Sequence, residues 1–169
     1  INASKIVVVD DGSSDDSWNI LKKIYNDESK INCIKLSKNF GHQNALLSGM
    51  LNSTEDLIIT LDIDLQDDIC AMEKMIQDYS NGYEIVYGVK KDRSSDGFLK
   101  NFFANNFYSI LSFLGASVIK NHADFRLLSQ KVIKALREFK ETNIYLRGMI
   151  PLLGFKSTTV EYTLSPRLS

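Results

Sequence analysis

Three polar residues, Asp62, Asp64 and Gln66, are spaced two apart and directly follow an apolar segment. In extended backbone, residues two apart project to the same side of the chain, so the three side chains can face one point. Carboxylate and amide oxygens are hard ligands suited to Mg²⁺ or Mn²⁺, and both ions keep positions open for substrate phosphates. The spacing therefore predicts a metal site. The alternative is a polar turn in which Asp67 and Asp68 cap the next helix.

A second acidic pair, Asp10 and Asp11, follows the apolar run of residues 5–9, which predicts a strand buried on both faces. Carboxylates at a strand end can accept hydrogen bonds from a nucleobase N–H group or from ribose hydroxyls. Gly12 permits a turn that keeps the loop clear of a ligand. The alternative is an ordinary strand-to-helix loop with Asp15 as the helix N-cap.

These two acidic loops lie in a first half in which strands and helices alternate. The pattern predicts strands at about residues 5–9, 31–36, 56–61 and 84–87, and helices at about residues 15–25, 41–51 and 69–79. Such alternation indicates an α/β fold with a mostly parallel sheet flanked by helices. Ligands of these sheets bind at the carboxyl ends of the strands, which is where both acidic loops lie.

The second half has a different pattern. It predicts a charged loop at residues 90–97, an apolar-aromatic helix at 98–115, a short segment around 124–126, helices at 129–139 and 143–153, and a strand at 155–164. The helix at 98–115 has two interpretations, because its apolar surface suits either the domain core or the headgroup region of a bilayer. Each interpretation can apply to one face of the helix.

Length, composition and charge exclude several classes of protein. The 169 residues, 44% hydrophobic and 24% charged, predict one globular domain over residues 1–169. Two cysteines and two histidines without CxxC spacing exclude a disulfide scaffold and a zinc ribbon. No apolar run reaches the roughly 18 residues of a transmembrane helix.

Residues 1–97 carry a net charge of −7 and residues 98–169 a net charge of +6, which predicts metal binding in the acidic half and phosphate or membrane binding in the basic half. Chance distribution of solvent-facing charge is the alternative.

Six segments in a fixed order carry a family resemblance. They are VDDGSSDDS, LSKNFGHQNALLSGM, LDIDLQDD, YGVKKDR, ADFRLLS and YLRGMIPLLGFK. Any one of them is a weak signal, but the ordered set is specific. The chain resembles the family 2 glycosyltransferases with the Rossmann-like GT-A fold, over about residues 6–167. Within that family it is most similar to the branch of dolichol-phosphate mannose synthases and bactoprenol glucosyltransferases.

The resemblance implies a division of the domain into a nucleotide-binding half at about residues 1–97 and an acceptor-side half at about residues 98–169. It also implies roles for individual residues. These are donor-nucleotide binding by Asp10, Asp11 and Gly41, metal and diphosphate binding by Asp62, Asp64 and Gln66, acceptor-phosphate binding by Lys90, Lys91 and Arg93, a reaction centre at Asp124 and Arg126, and donor-phosphate binding by Arg147. Family members commonly have Arg in place of Lys90.

The chain departs from the family pattern in three places. Relatives usually begin one strand earlier, with a Pro-x-Tyr/Phe-Asn-Glu segment that wraps the nucleobase, so we expect this first strand to be missing from the chain. Relatives often have Pro after the Gln-Asp pair, where this chain has Asp68. Many relatives continue into membrane helices beyond the position of Ser169.

The resemblance implies an inverting, metal-dependent glycosyltransferase that moves a sugar from a nucleotide-diphosphate sugar to an acceptor. The expected acceptor is a membrane polyprenyl phosphate at the cytoplasmic face. In that case Asp124 orients the site, because a phosphate monoester is already ionised near neutral pH. The alternative acceptor is a saccharide hydroxyl in cell-surface polysaccharide synthesis, for which Asp124 is the general-base candidate. A salt bridge between Asp124 and Arg126 is a purely structural interpretation.

Two further alternatives belong to other classes. A phosphorylated receiver-like signalling domain also has an acidic pair after its first strand and an Asp after a later strand, as at Asp10, Asp11 and Asp62. A transferase fold retained only as a scaffold is the other alternative. Intact Asp62, Asp64 and Arg147 argue against the scaffold, whereas the missing first strand is consistent with it. No nucleic-acid partner is expected for any of these functions.

Overall fold

The computed structural model describes residues 4–64, 66–91, 122–139 and 145–164. Contacts divide the chain into two compact units, the first from Ile1–Thr54 and Glu141–Leu146, the second from Glu55–Lys140 and Arg147–Ser169. The strands are β1 (Ile6–Asp10), β2 (Ile31–Lys35), β3 (Leu57–Thr60), β4 (Ile85–Lys90), β5 (His122–Ser129) and β6 (Ser157–Tyr162). The helices are α1 (Ser17–Asp27), α2 (His42–Leu51), α3 (Ala71–Ser80), α4 (Gln130–Arg137) and α5 (Leu146–Leu152).

The first unit is built on a parallel pair of strands, β1 and β2. Ile6 pairs with Ile31 and Asp10 pairs with Lys35, so an acidic and a basic residue lie side by side where the strands end. Helix α1 packs on β2, and helix α2 packs on β1. Strand β1 is therefore held by β2 at its side and by α2 on its face, which gives the acidic loop after it a fixed starting point.

In the described part of the second unit, four strands form a sheet in the order β3-β5-β4-β6. Strand β5 runs antiparallel to both β3 and β4, whereas β4 and β6 are parallel. Arg126 of β5 pairs with Thr60 of β3 on one side and with Tyr87 of β4 on the other. Lys90 pairs with Tyr162 at the ends of β4 and β6. This order places the carboxyl ends of β3, β4 and β6 at one edge of the sheet, together with the amino end of β5.

The core of the second unit lies between this sheet and α3. Met75 of α3 belongs to the same buried cluster as Val86, Phe125, Leu127 and Val160 of the sheet. Each of these five side chains is at most 1% exposed. Because burial of apolar surface stabilises by about 25 cal/mol per Å², this cluster fixes α3 and the three strands that contribute to it.

Helix α4 follows β5 directly and has the expected features of a stable helix. The Ser129 hydroxyl oxygen accepts a hydrogen bond from the backbone N–H of Val132 at 3.4 Å, which caps the first turn. Lys134 and Arg137 occupy the last turn, where positive charge interacts favourably with the negative end of the helix dipole. The apolar face is buried. Strand β5 is thereby tied to a packed helix immediately after its last residue.

The sequence predictions for strands and helices in residues 5–87 agree with the structure to within about three residues at each boundary, and the α/β class is confirmed. Residues 124–126, for which the sequence indicates only a short segment, are part of the eight-residue strand β5. The second sheet is consequently mixed, because β5 is antiparallel to its neighbours. The N-cap of α1 is Asp16, and Asp15 instead accepts a hydrogen bond from the Ser17 N–H at 3.0 Å.

The helix predicted at residues 98–115 lies outside the described residues, as does Arg93. The helices of the described ranges are all too short or too polar to cross a bilayer. The division into nucleotide and acceptor halves stays a prediction.

Candidate active site

The loop after β1 approaches the loop before α2 closely. Gly12 has a φ of +71°, and a Cβ atom at this position would lie 2.7 Å from the backbone nitrogen of Asn39. Only glycine combines this left-handed conformation with so close an approach. The approach lets the Asp11 carboxylate bind the other loop, because Oδ1 accepts from the Phe40 N–H and Oδ2 from the Gly41 N–H, both at 2.8 Å. Asp11 and Gly41, both predicted to bind nucleotide, are thus in direct contact.

Asp10 is buried beside Asp11, with 5% of its surface exposed. Its Oδ1 accepts a hydrogen bond from the Ser13 N–H at 3.2 Å, and its Oδ2 lies 3.9 Å from Lys35 Nζ. Each Asp11 oxygen accepts one backbone N–H and has capacity for a second donor, since a carboxylate has about four acceptor positions. The loop can therefore bind a nucleobase N–H or a ribose hydroxyl through Asp11 while keeping its shape.

The loop after β3 carries the second predicted set of ligands. Asp64 Oδ1 accepts a hydrogen bond from the Gln66 N–H at 3.1 Å, which closes a tight turn between two of the three predicted ligands. Ile63 is 82% exposed, so this part of the loop faces solvent. Asp62 begins the loop, and its N–H donates to Asp67 Oδ2 at 3.4 Å. The three predicted ligands thus belong to one short loop at the sheet edge, in which Asp62 is exposed and Asp64 and Gln66 are half-buried.

Tyr162, at the end of β6, contacts the same loop from the core side. Its hydroxyl donates to Asp67 Oδ1 at 2.8 Å, and only 3% of the residue is exposed. Burial, the hydrogen bond to Asp67 and the negative charges of Asp67, Asp62 and Asp64 together raise the pKa of Tyr162 above its ordinary value of 10.0. All three carboxylates therefore place negative charge on the side of the loop that Tyr162 contacts. Such a concentration of negative charge is what a divalent cation neutralises.

Asp62, Asp64 and Gln66 offer suitable ligands for Mg²⁺ or Mn²⁺ but do not complete the coordination shell of either ion. Two carboxylates and one amide oxygen are suitable ligands for these ions. Within the described ranges, no three His, Cys, Asp or Glu side chains are arranged to hold a metal by themselves. A cation bound by Asp62, Asp64 and Gln66 would therefore complete its coordination with water and with substrate oxygens, which is the open type of site that a diphosphate needs.

Asp124 and two arginines form a separate cluster at the same sheet edge. One Asp124 oxygen is bound by Arg126 Nη2 and lies 3.3 Å from Arg147 Nε, and the other accepts from Arg147 Nη2 at 2.9 Å. Arg147 thus grips the carboxylate with two parallel donors, the geometry that gives Arg–carboxylate pairs their strength and direction. The structure brings together the three residues that were predicted for the reaction centre and the donor phosphate.

The two arginines of this cluster differ in exposure. Arg126 is 1% exposed, and burial lowers its pKa from the ordinary 12.5 while the charge of Asp124 opposes that shift. The side chain of Arg147 is 43% exposed, so a ligand can reach it. Burial also raises the pKa of Tyr87, the neighbour of Arg126 on β4, to about 12. Arg126 is therefore the buried cation of the cluster, and Arg147 is the cation that solvent and ligands can reach.

Two site residues were not predicted as such from the sequence. Thr60, the last residue of β3, donates its hydroxyl to the Asp124 carbonyl oxygen and ties the cluster to the strand that leads into Asp62. Tyr162 binds Asp67 from 95 residues away. No local pattern in the sequence signals either contact.

The predicted acceptor loop begins where β4 ends. Lys90 and Lys91 are exposed, and the Lys91 N–H donates to the Tyr162 carbonyl oxygen at 2.9 Å. These two lysines therefore lie at the same sheet edge as the loop of Asp62 and the cluster of Asp124.

Comparison with known proteins gives the family. The model of "Glycosyl transferase family 2" matches residues 2–137. The chain is 41% identical over 168 residues to "Uncharacterized glycosyltransferase YkoT" of Bacillus subtilis, covering 98% of this chain and 50% of the relative. It is 31% identical over 166 residues to the "Bactoprenol glucosyl transferase" of Shigella phage SfX, covering 98% of this chain and 54% of the relative. The chain spans about half the length of the curated relatives it matches.

A solved structure agrees with this assignment. The mannosyltransferase PcManGT of Pyrobaculum calidifontis, in complex with GDP-Man and Mn²⁺, superposes with a TM-score of 0.64 at 15% identity, over 98% of this chain and 48% of that chain. At that identity the likeness shows the fold alone, which is the predicted GT-A fold. A receiver-like domain is thereby excluded. Because the family model matches most of the chain and the relatives are glycosyltransferases by name, the chain belongs to glycosyl transferase family 2.

Proposed function

We propose that the protein containing this chain transfers a sugar from a nucleotide-diphosphate sugar to a membrane polyprenyl phosphate, with inversion at the anomeric carbon. The similarity to a bactoprenol glucosyl transferase supports this acceptor. The observation that carries the proposal is the Asp124 carboxylate between two guanidinium groups, those of Arg126 and Arg147.

This arrangement suits a phosphate acceptor better than a hydroxyl acceptor. A general base needs an oxygen that can take a proton, but both Asp124 oxygens are bound by cationic donors. A phosphate monoester has a second pKa of about 6 and needs no base near neutral pH. Asp124 then orients Arg147, which presents a fixed positive charge to phosphate oxygens. The function of Asp124 is positioning, and the acceptor arrives already ionised.

The reaction requires stabilisation of a departing diphosphate. An oxygen of the acceptor phosphate forms a bond to the anomeric carbon from the face opposite the donor phosphate. The bond from that carbon to the diphosphate oxygen breaks, and its electron pair stays on the nucleoside diphosphate. In this proposal Arg147 stabilises the negative charge that develops on the diphosphate, by the same principle as an oxyanion site.

Asp62, Asp64 and Gln66 would hold a Mg²⁺ or Mn²⁺ ion beside the diphosphate, and such an ion supplies further positive charge to the leaving group. Asp11 would fix the nucleoside through a base N–H or a ribose hydroxyl, because its oxygens retain acceptor capacity.

The acceptor side is assigned to Lys90, Lys91 and Arg93. Lys90 and Lys91 are exposed at the end of β4. Each basic side chain near an anionic membrane surface contributes about 1 kcal/mol of attraction. We accordingly assign the work of this protein to the cytoplasmic face of the membrane, where nucleotide sugars are supplied.

The decisive experiment uses the full-length protein in membranes. UDP- and GDP-sugars are each incubated with a short polyprenyl phosphate, or with soluble saccharides, in the presence of Mn²⁺, and transfer and hydrolysis are scored. The proposal expects transfer to the polyprenyl phosphate, and loss of transfer in Asp64→Ala. Transfer only to saccharides would refute the lipid acceptor and return Asp124 to the role of general base. No turnover with any pair would favour a scaffold.

A charge-reversal variant tests the acceptor loop separately. Replacement of Lys90, Lys91 and Arg93 by Glu should weaken vesicle binding and raise the KM for polyprenyl phosphate, with donor binding unchanged. Loss of donor binding with normal use of the acceptor would contradict the assignment of this loop.

A further inference from the structure

A hydrogen-bonded carboxylate connects the Asp62–Gln66 turn to the core. Asp67, the residue after Gln66, accepts the Tyr162 hydroxyl on Oδ1 at 2.8 Å and the Asp62 N–H on Oδ2 at 3.4 Å. One carboxylate therefore links the first residue of the turn to a side chain of β6. Within the turn, Ile63 is 82% exposed.

Tyr162 is itself held firmly. Its ring meets the Phe125 ring edge to face, with centroids 5.1 Å apart and an angle of 81° between the planes. Gly88 of β4 leaves the space for both rings, because a Cβ atom there would lie 2.7 Å from Phe125 Cδ1 and 3.1 Å from Tyr162 Cε1. The hydroxyl of Tyr162 is thus a donor at a fixed position, set by the strands and not by the turn.

The backbone of Tyr162 makes a second connection. Its carbonyl oxygen accepts the Lys91 N–H at 2.9 Å, and Tyr162 pairs with Lys90 in the register of β4 and β6. One residue therefore contacts Asp67 through its side chain and the lysine segment through its main chain.

We propose that Tyr162 and Asp67 are positioning residues that hold the Asp62-x-Asp64-x-Gln66 turn in its metal-binding shape and keep it in register with the Lys90–Lys91 segment. The inference rests on the proposed function, because it concerns how that metal site is held. Groups that orient metal ligands from outside commonly change metal affinity 10- to 100-fold when removed. Asp67 acts here through the backbone of Asp62, and Tyr162 acts through Asp67.

Two variants remove different contacts of Asp67. Tyr162→Phe removes only the hydroxyl and keeps the ring against Phe125. In Asp67→Asn the amide can present either its oxygen or its NH₂ group to each partner, but both partners are donors, so one contact is lost. Both variants should therefore loosen the turn without creating a cavity in the core.

The test measures binding of Mn²⁺ alone to the full-length protein, read from the loss of the free-ion EPR signal. We expect Tyr162→Phe and Asp67→Asn each to weaken Mn²⁺ binding about tenfold. The double variant should be no weaker than the weaker single one, because the residues act in one chain of contacts. Raising Mn²⁺ should restore the transfer rate of Tyr162→Phe, a rescue that a general loss of folding does not give.

Tyr83→Phe is the matched control. Tyr83 packs against the same core cluster, precedes β4 at the opposite end of the sheet, and contacts Lys156 through its ring. It should leave Mn²⁺ binding unchanged. Wild-type affinity in Tyr162→Phe would overturn the proposal, and so would loss of binding in Asp67→Asn alone, since Asp67 would then be a ligand. If the wild-type protein itself bound no Mn²⁺, the metal site of the proposed function would fall together with its anchor.

Discussion

Replacement of Asp124 by Asn removes one negative charge from a nearly isosteric side chain. Asp124 is 3% exposed and is the counter-charge of Arg126, which is 1% exposed. The Asn amide offers one acceptor oxygen where the carboxylate offers two, and its NH₂ group must then face a guanidinium donor. Asp124→Asn therefore leaves the buried Arg126 without a compensating charge.

The magnitude follows from the burial of each partner. Breaking a buried ion pair by removal of one partner costs about 3–5 kcal/mol. The contact with Arg147, whose side chain is 43% exposed, adds at most about 1 kcal/mol because solvent screens it. Arg126 Nη1 already has no hydrogen-bond partner among the described residues, so further loss is not absorbed locally. For a unit of this size, about 4 kcal/mol lowers the melting temperature by about 15 °C or more.

The assay compares thermal unfolding and transfer for three variants of the full-length protein. Asp124→Asn should be destabilised and should lose transfer. Asp124→Leu with Arg126→Met should recover most of the stability, because a neutral pair of similar volume removes the buried charge. It should remain inactive, since Arg147 has lost its anchor. Asp124→Asn with a wild-type melting temperature and no transfer would refute this reasoning and favour a general base.

Three further predictions concern other contacts. Arg147→Lys should reduce kcat/KM for transfer at least about tenfold, because Lys cannot bind Asp124 and a phosphate with a planar fork; activity within a factor of two of wild type would make Arg147 a structural residue. Gly88→Ala should destabilise by about 1–3 kcal/mol through overlap with Phe125, measured by urea unfolding, and an unchanged midpoint would show that β4 can shift to accommodate the methyl group. The Lys131 ammonium, 2.6 Å away, and Ser129 lower the pKa of Glu84 from its ordinary 4.5. A lowered carboxyl pKa stabilises the fold above the ordinary value, and the effect is lost as pH falls below it. Glu84→Gln should thus be less stable than wild type at pH 7, by less than about 1 kcal/mol, and the difference should shrink as the pH falls below the ordinary carboxyl pKa; a difference that does not shrink in acid would assign it to packing.

The acidic loops could be predicted from the sequence because their signal is local. Asp10 and Asp62 each follow an apolar run, and a strand followed by polar residues at its carboxyl end is a pattern of short range. Asp11 was predicted to bind a ligand, and in the structure its two oxygens bind the Phe40 and Gly41 N–H groups. The sequence could indicate an acceptor at this position, but the two backbone donors 30 residues away depend on the fold.

Strand β5 could not be predicted because its central residues contradict the usual pattern of a buried strand. Asp124 and Arg126 are charged yet nearly inaccessible, and their burial is tolerable because they bind each other and Arg147 also binds Asp124. Tyr162 and Asp67 also meet across 95 residues. Contacts between distant residues that satisfy each other leave no periodicity in either segment, so the fold must be known before they can be found.

The position of β5 has a consequence for biosynthesis. Strands β3 and β4 leave the ribosome before β5, but they do not pair with each other, because β5 lies between them in the sheet. Until residues 122–129 have been synthesised, the backbone N–H and C=O groups of β3 and β4 that later pair with β5 have no partner strand. Pairing between such distant segments is slow, since loop closure must precede any gain. We therefore expect nascent or shortened chains that end before His122 to require chaperones and to aggregate without them, whereas chains that extend through β6 fold and stay dispersed.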